Sequence, residues 1–550
     1  MLRAANVSRR IHLRARRRSH KRMNDNKKHV WWRWPAIFLS MTALGLASVP
    51  AFDWADLDPL YRGPVAGGSL LALMIGIIGL SVWFFFLSSF KATLRYCLLG
   101  VVLVVIIGFL ASVRSFDVTG YLGIIPRFRW QSDPQEQLEL ARLSSADSGL
   151  PPIDPTIDPR TDFPRYRGLT GDGVVQSLEL LANDWNVRPP KLLWKRPCGG
   201  GFSGFAVAGN VAVTLEQRRE QEVIVCYDRT KGTERWIYAY DAHFRDPTGS
   251  GPRATPTIAD GLVYSLGADG DLVCVDVRTG RKRWNVNILA DCKAKRIVWG
   301  MTSSPLIADG RVIVNAGIDP AANASMAVVA YDAKDGNRLW ASGDRGAGYS
   351  SAMRATVAGQ DQVVLFDAGG LAGLSLEDGK ELWRYAWPTF QDMNIIQPLA
   401  IGPNTFLISS ELSNGCAAVR VTRSGKEFTA EAIWQNRYLG SKYANPVILN
   451  ETIFGLSNGT LVCLDARTGE RLWRGKAYGH GQMLAVDGHL VILGERGELA
   501  LVAADQRAFR ELGRLSVLEG RTWNTPALAG RLLFVRNDKE MACLELALRD

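Results

Sequence analysis

The segment that decides the fold of this chain is Val225-Cys226-Tyr227-Asp228-Arg229-Thr230-Lys231-Gly232-Thr233-Glu234-Arg235-Trp236. It combines a short apolar run with the spacing Asp-x-x-x-Gly-x-x-x-Trp, which is typical of two strands joined by a tight turn. The glycine supplies the positive φ that such a turn needs, and the Asp carboxylate can accept hydrogen bonds from the turn backbone. We therefore expect a β-hairpin that carries the tryptophan on its outgoing strand.

The same spacing recurs in the C-terminal part of the chain. Its intact copies end at Trp236, Trp284, Trp340 and Trp473, and a copy with Ser375 in the Asp position ends at Trp383. Repetition at roughly 40–50 residues indicates a propeller or a solenoid. Asp-Gly or Ala-Gly turns followed by Val- or Leu-rich runs add two further strands to each copy, so each repeat predicts a four-stranded sheet.

A spare strand precedes the first complete repeat. It is Leu192-Leu193-Trp194, whereas the last repeat, at residues 526–546, lacks its final strand. If the spare strand completes the last repeat, the sheets close into a ring of eight blades that leaves no exposed edge. The sequence thus predicts an all-β fold, an eight-bladed β-propeller, over residues 161–550.

Eight four-stranded blades with motifs of this spacing resemble the pyrroloquinoline-quinone (PQQ)-like, or quinoprotein-type, propeller repeat proteins. The resemblance covers roughly residues 163–550. In that family the tryptophans dock one blade against the next. The motif therefore implies a fold and does not by itself imply an activity.

The basic charge of the chain is confined to its amino-terminal arm. Residues 1–34 contain twelve Lys or Arg and one Asp, which accounts for the whole formal charge of +11. Because the rest of the chain is balanced, we expect no nucleic-acid partner. A basic run before apolar segments is typical of a cytoplasmic topology signal, and we interpret the arm in this way.

Three uncharged apolar stretches follow the arm, at residues 36–51, 68–90 and 96–113. Lys91 and Arg95 lie between the second and the third, so the positive-inside rule places this loop and the amino terminus in the cytoplasm. The sequence predicts a three-helix membrane anchor over residues 35–113, set in a bacterial inner membrane with the propeller in the periplasm. Residues 114–160 are predicted to be a Pro-rich linker, with one short helix starting at Pro134.

The cysteines favour packing over chemistry. Cys226, Cys274 and Cys463 each precede a repeat Trp by ten residues, which suggests a small buried position on the third strand. We expect Cys416 and Cys543 to occupy similar places. Cys198 and Cys292 fall outside this column and could be free or paired. The sequence has no C-x-x-C motif and no His-rich cluster, so it predicts no metal site, and we assign no catalytic residue.

The loops that enter the innermost strands of a propeller meet at one mouth of its channel. Aromatic, basic and amide side chains recur there, and the candidate binding residues are Arg218, Arg253, Trp299, Tyr349, His480 and Trp523. Stacking surfaces with a few polar anchors would suit a planar anionic ligand, a sugar or a peptide. The alternative is that these loops serve turn geometry and that their aromatic rings plug the channel.

We expect the propeller to be a non-catalytic scaffold that binds a ligand or an envelope protein, because its resemblance extends to the outer-membrane-assembly lipoproteins of this superfamily. On this interpretation no cofactor is needed. The alternative that the resemblance implies is a membrane-bound, PQQ-dependent sugar or alcohol dehydrogenase. In such an enzyme Trp299 or Trp523 would stack on the quinone. Arg253 or Arg218 would hold its carboxylates, and Glu216 would be the candidate base.

Overall fold

The computed structural model describes residues 35–43, 71–72, 74–84, 91–118, 124–130, 134–143, 149–176, 179–246, 248–322, 324–411 and 414–549. The chain divides into two compact units. The first comprises Met1–Ser115 with Pro126–Trp130, and the second comprises Phe116–Ile125 with Gln131–Asp550. The basic arm lies outside the described residues, so its role stays a prediction.

The first unit contains helical residues 35–43 and 74–82 and the helix Ala92–Ser112, here called α1. Within the described residues, α1 is the one helix that is long and apolar enough to cross a membrane. Its 21 residues correspond to a length of about 30 Å, which is the thickness of a bilayer core. The first two predicted spans lie partly outside the described residues, and the three-helix anchor stays a prediction. Strands Val113–Val118 and Ile124–Phe128 follow and form a two-stranded sheet.

A short helix, Pro134–Leu143 (α2), begins at the proline that the sequence indicated. Proline suits the first position of a helix, where no backbone donor is needed. The helix is attached to the propeller: Leu138 is buried, and Glu139 forms a 2.7 Å ion pair with Arg219. This part of the predicted linker therefore packs against the domain that follows it.

The second unit is an eight-bladed β-propeller, as predicted. Each blade is an antiparallel sheet whose strands A to D run in chain order from the channel outward, and blade 8 borrows its strand D from earlier in the chain. Blade 1 consists of Ala206–Ala208, Val211–Arg218, Gln221–Asp228 and Glu234–Asp241, and blade 2 of Thr257–Ala259, Leu262–Leu266, Asp271–Asp276 and Lys282–Asn287. Blade 3 consists of Leu306–Ala308, Arg311–Asn315, Val328–Asp332 and Arg338–Ser342, and blade 4 of Met353–Val357, Gln360–Asp367, Gly370–Ser375 and Glu381–Ala386. Blade 5 consists of Leu399–Gly402, Thr405–Ser410, Gly415–Ser424 and Glu427–Asn436, and blade 6 of Val447–Leu449, Thr452–Ser457, Thr460–Asp465 and Arg471–Ala477. Blade 7 consists of Gln482–Val486, His489–Leu493, Glu498–Ala503 and Glu511–Ser516, and blade 8 of Ala527–Ala529, Leu532–Arg536, Glu540–Glu545 and Lys191–Pro197.

The ring closes through the spare strand. Lys191–Pro197 pairs antiparallel with Glu540–Glu545, and Trp194 lies opposite Cys543 in this register. Cys226 faces Trp236 in the same way in blade 1. A small residue lies opposite the repeat Trp in blades 2 to 6 as well, as Cys in blades 2 and 6, Ala in blades 3 and 5 and Gly in blade 4. The prediction that the spare strand completes the last blade is confirmed.

The repeat motif forms the joint between blades. In blade 1 the Asp228 carboxylate accepts hydrogen bonds from the backbone N–H groups of Thr230 and Lys231, which fixes the turn. The Trp236 indole donates to the carbonyl oxygen of Val277 in blade 2 at 2.9 Å. Its ring covers Gly280 of the next motif so closely that a β-carbon there would lie 2.7 Å from the ring. The glycine is therefore needed for contact as well as for its positive φ.

Blade 5 departs from this pattern. Its third and fourth strands form a hairpin of ten residues on each side and lack the Asp-x-x-x-Gly turn. The preceding Trp383 consequently donates to Gln362 of its own blade. Cys416 lies opposite Asn436, whereas Ala418 lies opposite Trp434, so Cys416 does not occupy the cysteine column. The expectation that it did was wrong because the longer hairpin moves the start of the strand.

Residues 151–181, here called the strap, cross one end of the channel. Each strand A begins at the loop that precedes it and ends at the A–B turn. The strap lies at the end of the channel where these A–B turns are. Phe163 bridges Val207 of blade 1, and Val174–Val175 pairs in parallel with strand A of blade 7. The Arg167 side chain, between them, donates to the Pro446 carbonyl oxygen of blade 6. The strap therefore closes the end of the channel opposite the predicted site.

Candidate functional site

The open end of the channel, here called the mouth, is formed by the D–A connections and the B–C turns of the blades. Polar side chains at the start of each strand A link every blade to its neighbours around the channel. These links are made by Thr255, Ser304, Ser351, Gln397, Asn445, Gln482 and Asn524. They fix the positions of the mouth loops relative to one another.

Above these links, cations and aromatic rings form one continuous series of contacts across the mouth. This arrangement, here called the mouth stack, comprises Arg296, Phe244, Arg253, Phe202, Arg521, Trp523, Tyr443 and Lys442. Neighbouring groups in it lie 4.4–5.4 Å apart, measured to ring centroids. Such cation–π contacts are worth roughly 0.5–2 kcal/mol each, with the larger values where the groups are desolvated.

Arg253 is the most constrained cation of the mouth stack. Its guanidinium donates to Asp246 at 2.8 Å and to the Gly251 carbonyl oxygen at 2.7 Å. The same group lies 4.4 Å from the Phe244 centroid and 5.3 Å from the Phe202 centroid. Arg253 therefore has an acidic partner within the protein, and its role here is to hold two aromatic rings in place.

Trp523 and His480 meet at one carboxylate. The Trp523 indole donates to Oε1 of Glu495, and the His480 backbone N–H donates to Oε2, both at 3.0 Å. His480 is 2% exposed, and burial lowers the pKa of its imidazole to about 4. The ring is therefore neutral at physiological pH, and it contacts Tyr443 edge-on at 5.7 Å.

A second carboxylate lies on the other side of His480. Oε1 of Glu411 is 3.7 Å from His480 Nε2, and its other oxygen is 3.4 Å from the Lys442 ammonium. Burial raises the pKa of Glu411 above its usual value, and the nearby Lys442 opposes this shift. A shallow cleft beside this pair has apolar walls that include Phe390 and Met393.

Trp299 and Tyr349 form a separate pair on the mouth. Their rings lie 5.4 Å apart, and the Tyr349 backbone is held between Thr302 and Asn394. Burial raises the pKa of Tyr349 to about 12, so its hydroxyl stays protonated. Trp299 is partly exposed.

Arg218 lies inside blade 1 and not at the mouth surface. Its guanidinium donates to Glu216 at 2.9 Å, to Glu234 at 2.8 Å and to the Tyr227 hydroxyl at 3.0 Å. Glu216 is fully buried. Burial on its own would raise the pKa of Glu216, but the opposing charges of Arg218 and Arg536 hold it below its usual value. This cluster stabilises the blade, and Glu216 is not placed to act as a base at the mouth.

The structure thus brings Arg253, His480 and Trp523 into one connected group, with Trp299 and Tyr349 beside it. The sequence reasoning missed the carboxylates Glu411 and Glu495, which organise this group. Glu411 directly follows the second strand of its blade, at residues 405–410, and Glu495 comes two residues after the second strand at residues 489–493. Turns after second strands lie at the same end as loops before first strands. That topology could have indicated both residues.

PQQ does not fit these residues. Trp523 would have to offer a free ring face, yet Arg521 lies 4.7 Å from its centroid and Tyr443 lies 4.8 Å away. Arg253 would have to bind the quinone carboxylates, but it is paired with Asp246 and 8% exposed at its side chain. Among the described residues, no three His, Cys, Asp or Glu side chains are grouped as a metal site would need.

Comparison with known proteins gives a family. The family model described as outer membrane protein assembly factor BamB matches residues 182–292, 219–475 and 399–511. The outer membrane protein assembly factor BamB of Shewanella oneidensis is 25% identical over 297 residues, which are 50% of this chain and 69% of that protein. The protein of the same name from Burkholderia pseudomallei is 24% identical over 327 residues, 51% of this chain and 81% of that protein.

The solved structures similar to this chain include a member of this family and a quinoprotein enzyme. BamB from Moraxella catarrhalis has a TM-score of 0.48 at 14% identity, covering 65% of this chain and 100% of that one. The quinohemoprotein alcohol dehydrogenase from Comamonas testosteroni has a TM-score of 0.49 at 11% identity, covering 76% of this chain and 85% of that one.

Proposed function

We propose that this chain, which belongs to the family of outer membrane protein assembly factor BamB, is a membrane-anchored scaffold in the cell envelope that binds a protein partner through its mouth. The observation that carries the proposal is the mouth stack. Its side chains fill the mouth with contacts to one another, so the propeller presents a shaped surface and not a reaction cavity.

The surface above the stack suits protein recognition. Phe390 is 61% exposed and Val298 is 69% exposed, and both lie in D–A connections at the mouth. The Phe390 loop has a rigid base, because the buried Asn394 side chain donates to the carbonyl oxygens of Asp367 and Trp387. Exposed aromatic groups on a rigid frame lose little entropy when they are buried by a partner.

The location is proposed from the apolar helix and the family. The helix α1 follows Lys91 and contains Arg95 near its start, an arrangement that favours a cytoplasmic position for this end. The propeller would then lie on the periplasmic side of the inner membrane. The relatives are named outer membrane protein assembly factors, and we expect the partner to take part in that assembly process.

The test is site-specific photo-crosslinking in living cells. Benzoylphenylalanine replaces Phe390 or Val298 in the full-length chain, and crosslinked proteins are identified by mass spectrometry. Both side chains are exposed, so the fold should be unaffected. We expect both positions to give the same partner, a protein of the outer membrane assembly process, and we expect Phe390→Asp to reduce outer membrane protein levels.

Matched controls lie on the outer strands. Leu339 in blade 3 is 48% exposed and Leu472 in blade 6 is 42% exposed, so both accept the same probe at similar cost. Crosslinks of equal yield from these positions would argue against a mouth-specific partner. Unchanged outer membrane protein levels in a strain lacking the chain would contradict the assembly role.

The dehydrogenase alternative has its own test. The full-length chain, purified in detergent, is titrated with PQQ and Ca²⁺ by calorimetry and assayed for dye-linked oxidation of sugars and alcohols. We expect neither binding nor turnover, because Trp523 and Arg253 are already engaged. Micromolar binding accompanied by turnover would replace the scaffold proposal with an oxidoreductase.

A further inference from the structure

An open groove lies beside the extended hairpin of blade 5. Its volume is about 460 Å³, and it is lined by Ala358 of the blade 4 A–B turn, by Pro403 and Asn404 of the blade 5 A–B turn, and by hairpin residues between Arg420 and Gly425. The groove is at the end of the ring opposite the mouth. The proposed role of the mouth therefore does not account for it.

The floor of the groove is held by hydrogen bonds between the two turns and the hairpin. The Ala358 backbone N–H donates to Oδ1 of Asn404 at 2.7 Å, and the Val421 backbone N–H donates to the Asn404 carbonyl oxygen at 2.8 Å. Ala358 and Asn404 have φ values of +46° and +55°, a left-handed conformation that non-glycine residues rarely adopt. A surface fixed in this way loses little conformational entropy when it binds a ligand.

The charged side chains that line the groove are both arginines. Arg420 and Arg423 are exposed, and no described residue forms an ion pair with either of them. Glu427 and Glu431 lie on the neighbouring strand D, and neither lines the groove. The groove thus has a surplus of positive charge, which favours an anionic ligand.

Arg423 is oriented by its neighbours. Its Nε donates to the Gly425 carbonyl oxygen at 2.9 Å, and its guanidinium lies 5.0 Å from the centroid of the Phe428 ring. That ring packs against the apolar core between blades 4 and 5. Among the described residues, none accepts a hydrogen bond from the two terminal nitrogens of Arg423. These nitrogens can bind a carboxylate in a bidentate manner.

The groove also contains a free strand edge. Strand C of blade 5 pairs with strand B only as far as Arg420, which lies opposite Thr405, whereas its pairing with strand D continues to Ser424. Backbone groups that point to one side of a strand alternate along it. The N–H and C=O of Arg423 therefore point to the same side as those of Val421, and they lie beyond the last residue that strand B pairs with.

We infer that this groove binds a short, extended acidic segment of a protein, which adds a strand along residues 421–424 and places carboxylates on Arg420 and Arg423. Main-chain hydrogen bonds to a free edge, combined with side-chain contacts, are a general mode of peptide recognition. A phosphate group would satisfy the arginines but would leave the Arg423 carbonyl oxygen without a donor, whereas a peptide supplies both a donor and an acceptor. A lipid surface would engage apolar side chains at the end of the hairpin, and residues 422–427 contain none.

The first test reads binding at the groove itself. Benzoylphenylalanine replaces Pro403, an exposed groove residue, in the full-length chain in detergent, and the yield of crosslinking to labelled hexaglutamate is measured against its concentration. A peptide bound to the basic arm does not contribute to this signal. We expect Arg420→Gln combined with Arg423→Gln to raise the half-saturating concentration about tenfold.

The matched control is Arg278→Gln combined with Lys334→Gln. It removes two exposed cations from the C–D turns of blades 2 and 3 and should leave the half-saturating concentration unchanged. An unchanged value in the groove variant, or an equal increase in the control, would overturn the proposal.

The second test examines the strand edge in the chain that keeps both arginines. Hexaglutamate that is N-methylated at alternate residues, in either of the two registers, retains its charge but lacks half of its backbone donors. At least one register should bind about tenfold more weakly than the unmodified peptide. Equal binding of all three peptides would overturn strand addition. Displacement of hexaglutamate by inorganic phosphate, but not by chloride at the same ionic strength, would identify a phosphate site instead and would also overturn the proposal.

Discussion

Trp194 packs directly on Gly232, so that a β-carbon added to the glycine would lie 2.5 Å from Cδ2 of the indole. The two residues belong to blades 8 and 1, which makes this contact the one that closes the ring. Trp236 covers Gly280 between blades 1 and 2 in the same way. Ring closure therefore reuses the joint that connects ordinary neighbours in the chain.

Replacing this glycine tests the joint. Gly232→Ala should destabilise the propeller because the new methyl group must displace Trp194 in addition to adopting a positive φ. Overpacking of this kind costs roughly 1–3 kcal/mol. The free energy of unfolding, measured in denaturant, should fall by that amount in addition to the loss that the strained backbone causes.

Gly261→Ala is the matched control. Gly261 has a φ of +74°, close to the +61° of Gly232, but a β-carbon there would meet nothing within 4 Å. Both variants share the strain, and their difference reports the contact with Trp194. Equal losses in the two variants would show that the ring joint is not sensitive to this contact.

Removing the closing strand is a larger change. Deletion of residues 191–195 should leave blade 8 with three strands and expose the edge of Glu540–Glu545. Calorimetry of the deletion variant should show a marked fall in unfolding temperature and the loss of a single cooperative transition. Leu192→Ala is the control, since this side chain is 51% exposed and should matter little. Unchanged unfolding of the deletion would contradict closure through this strand.

The fold followed from the sequence because its signals are local and repeated. The turn at Asp228 and Gly232 specifies a hairpin by itself, and its recurrence gave the blade count. The spare strand at Trp194 gave the closure. Blade 5 was harder, because an extended hairpin replaces the Gly-containing turn and shifts Cys416 out of its expected place.

The site was only partly accessible from the sequence. Residue types before each first strand correctly indicated where the mouth is, but side-chain direction is set by packing. Arg218 illustrates this: it stands at the end of a strand, yet Glu216 and Glu234 draw it into the blade. The strap and the pairing of Arg253 with Asp246 depend on contacts that no local pattern reports.

A buried carboxyl near the mouth should make stability depend on pH. Glu222 is fully buried, and burial raises its pKa from 4.5 to about 7. Between these values the folded state binds more protons than the unfolded state, so this group's contribution to stability is lost as pH rises. The effect is on the order of 3 kcal/mol at most. Glu222→Gln should remove it, as measured by urea unfolding from pH 4 to 8.

The comparison must be made between the wild-type chain and this variant at each pH. His480, whose pKa burial lowers to about 4, has the opposite sign: the unfolded state takes up its proton first as pH falls, so its contribution is lost below about pH 6.5. The difference between wild type and Glu222→Gln isolates the carboxyl. A difference that stays constant across the range would show that Glu222 titrates normally.

The last prediction concerns the carboxylate that organises the mouth. Glu495 accepts from the Trp523 indole and from the His480 backbone, so Glu495→Ala should leave two buried donors unpaired. Each such loss costs about 1–3 kcal/mol. Trp523→Phe keeps a ring in the stack but removes one donor. In a double-mutant cycle measured by denaturant unfolding, the two substitutions should be coupled by about 1 kcal/mol or more. The reason is that Trp523→Phe removes no hydrogen bond from a protein that already carries Glu495→Ala. Strictly additive losses would mean that the indole hydrogen bond does not contribute to the stability of the mouth.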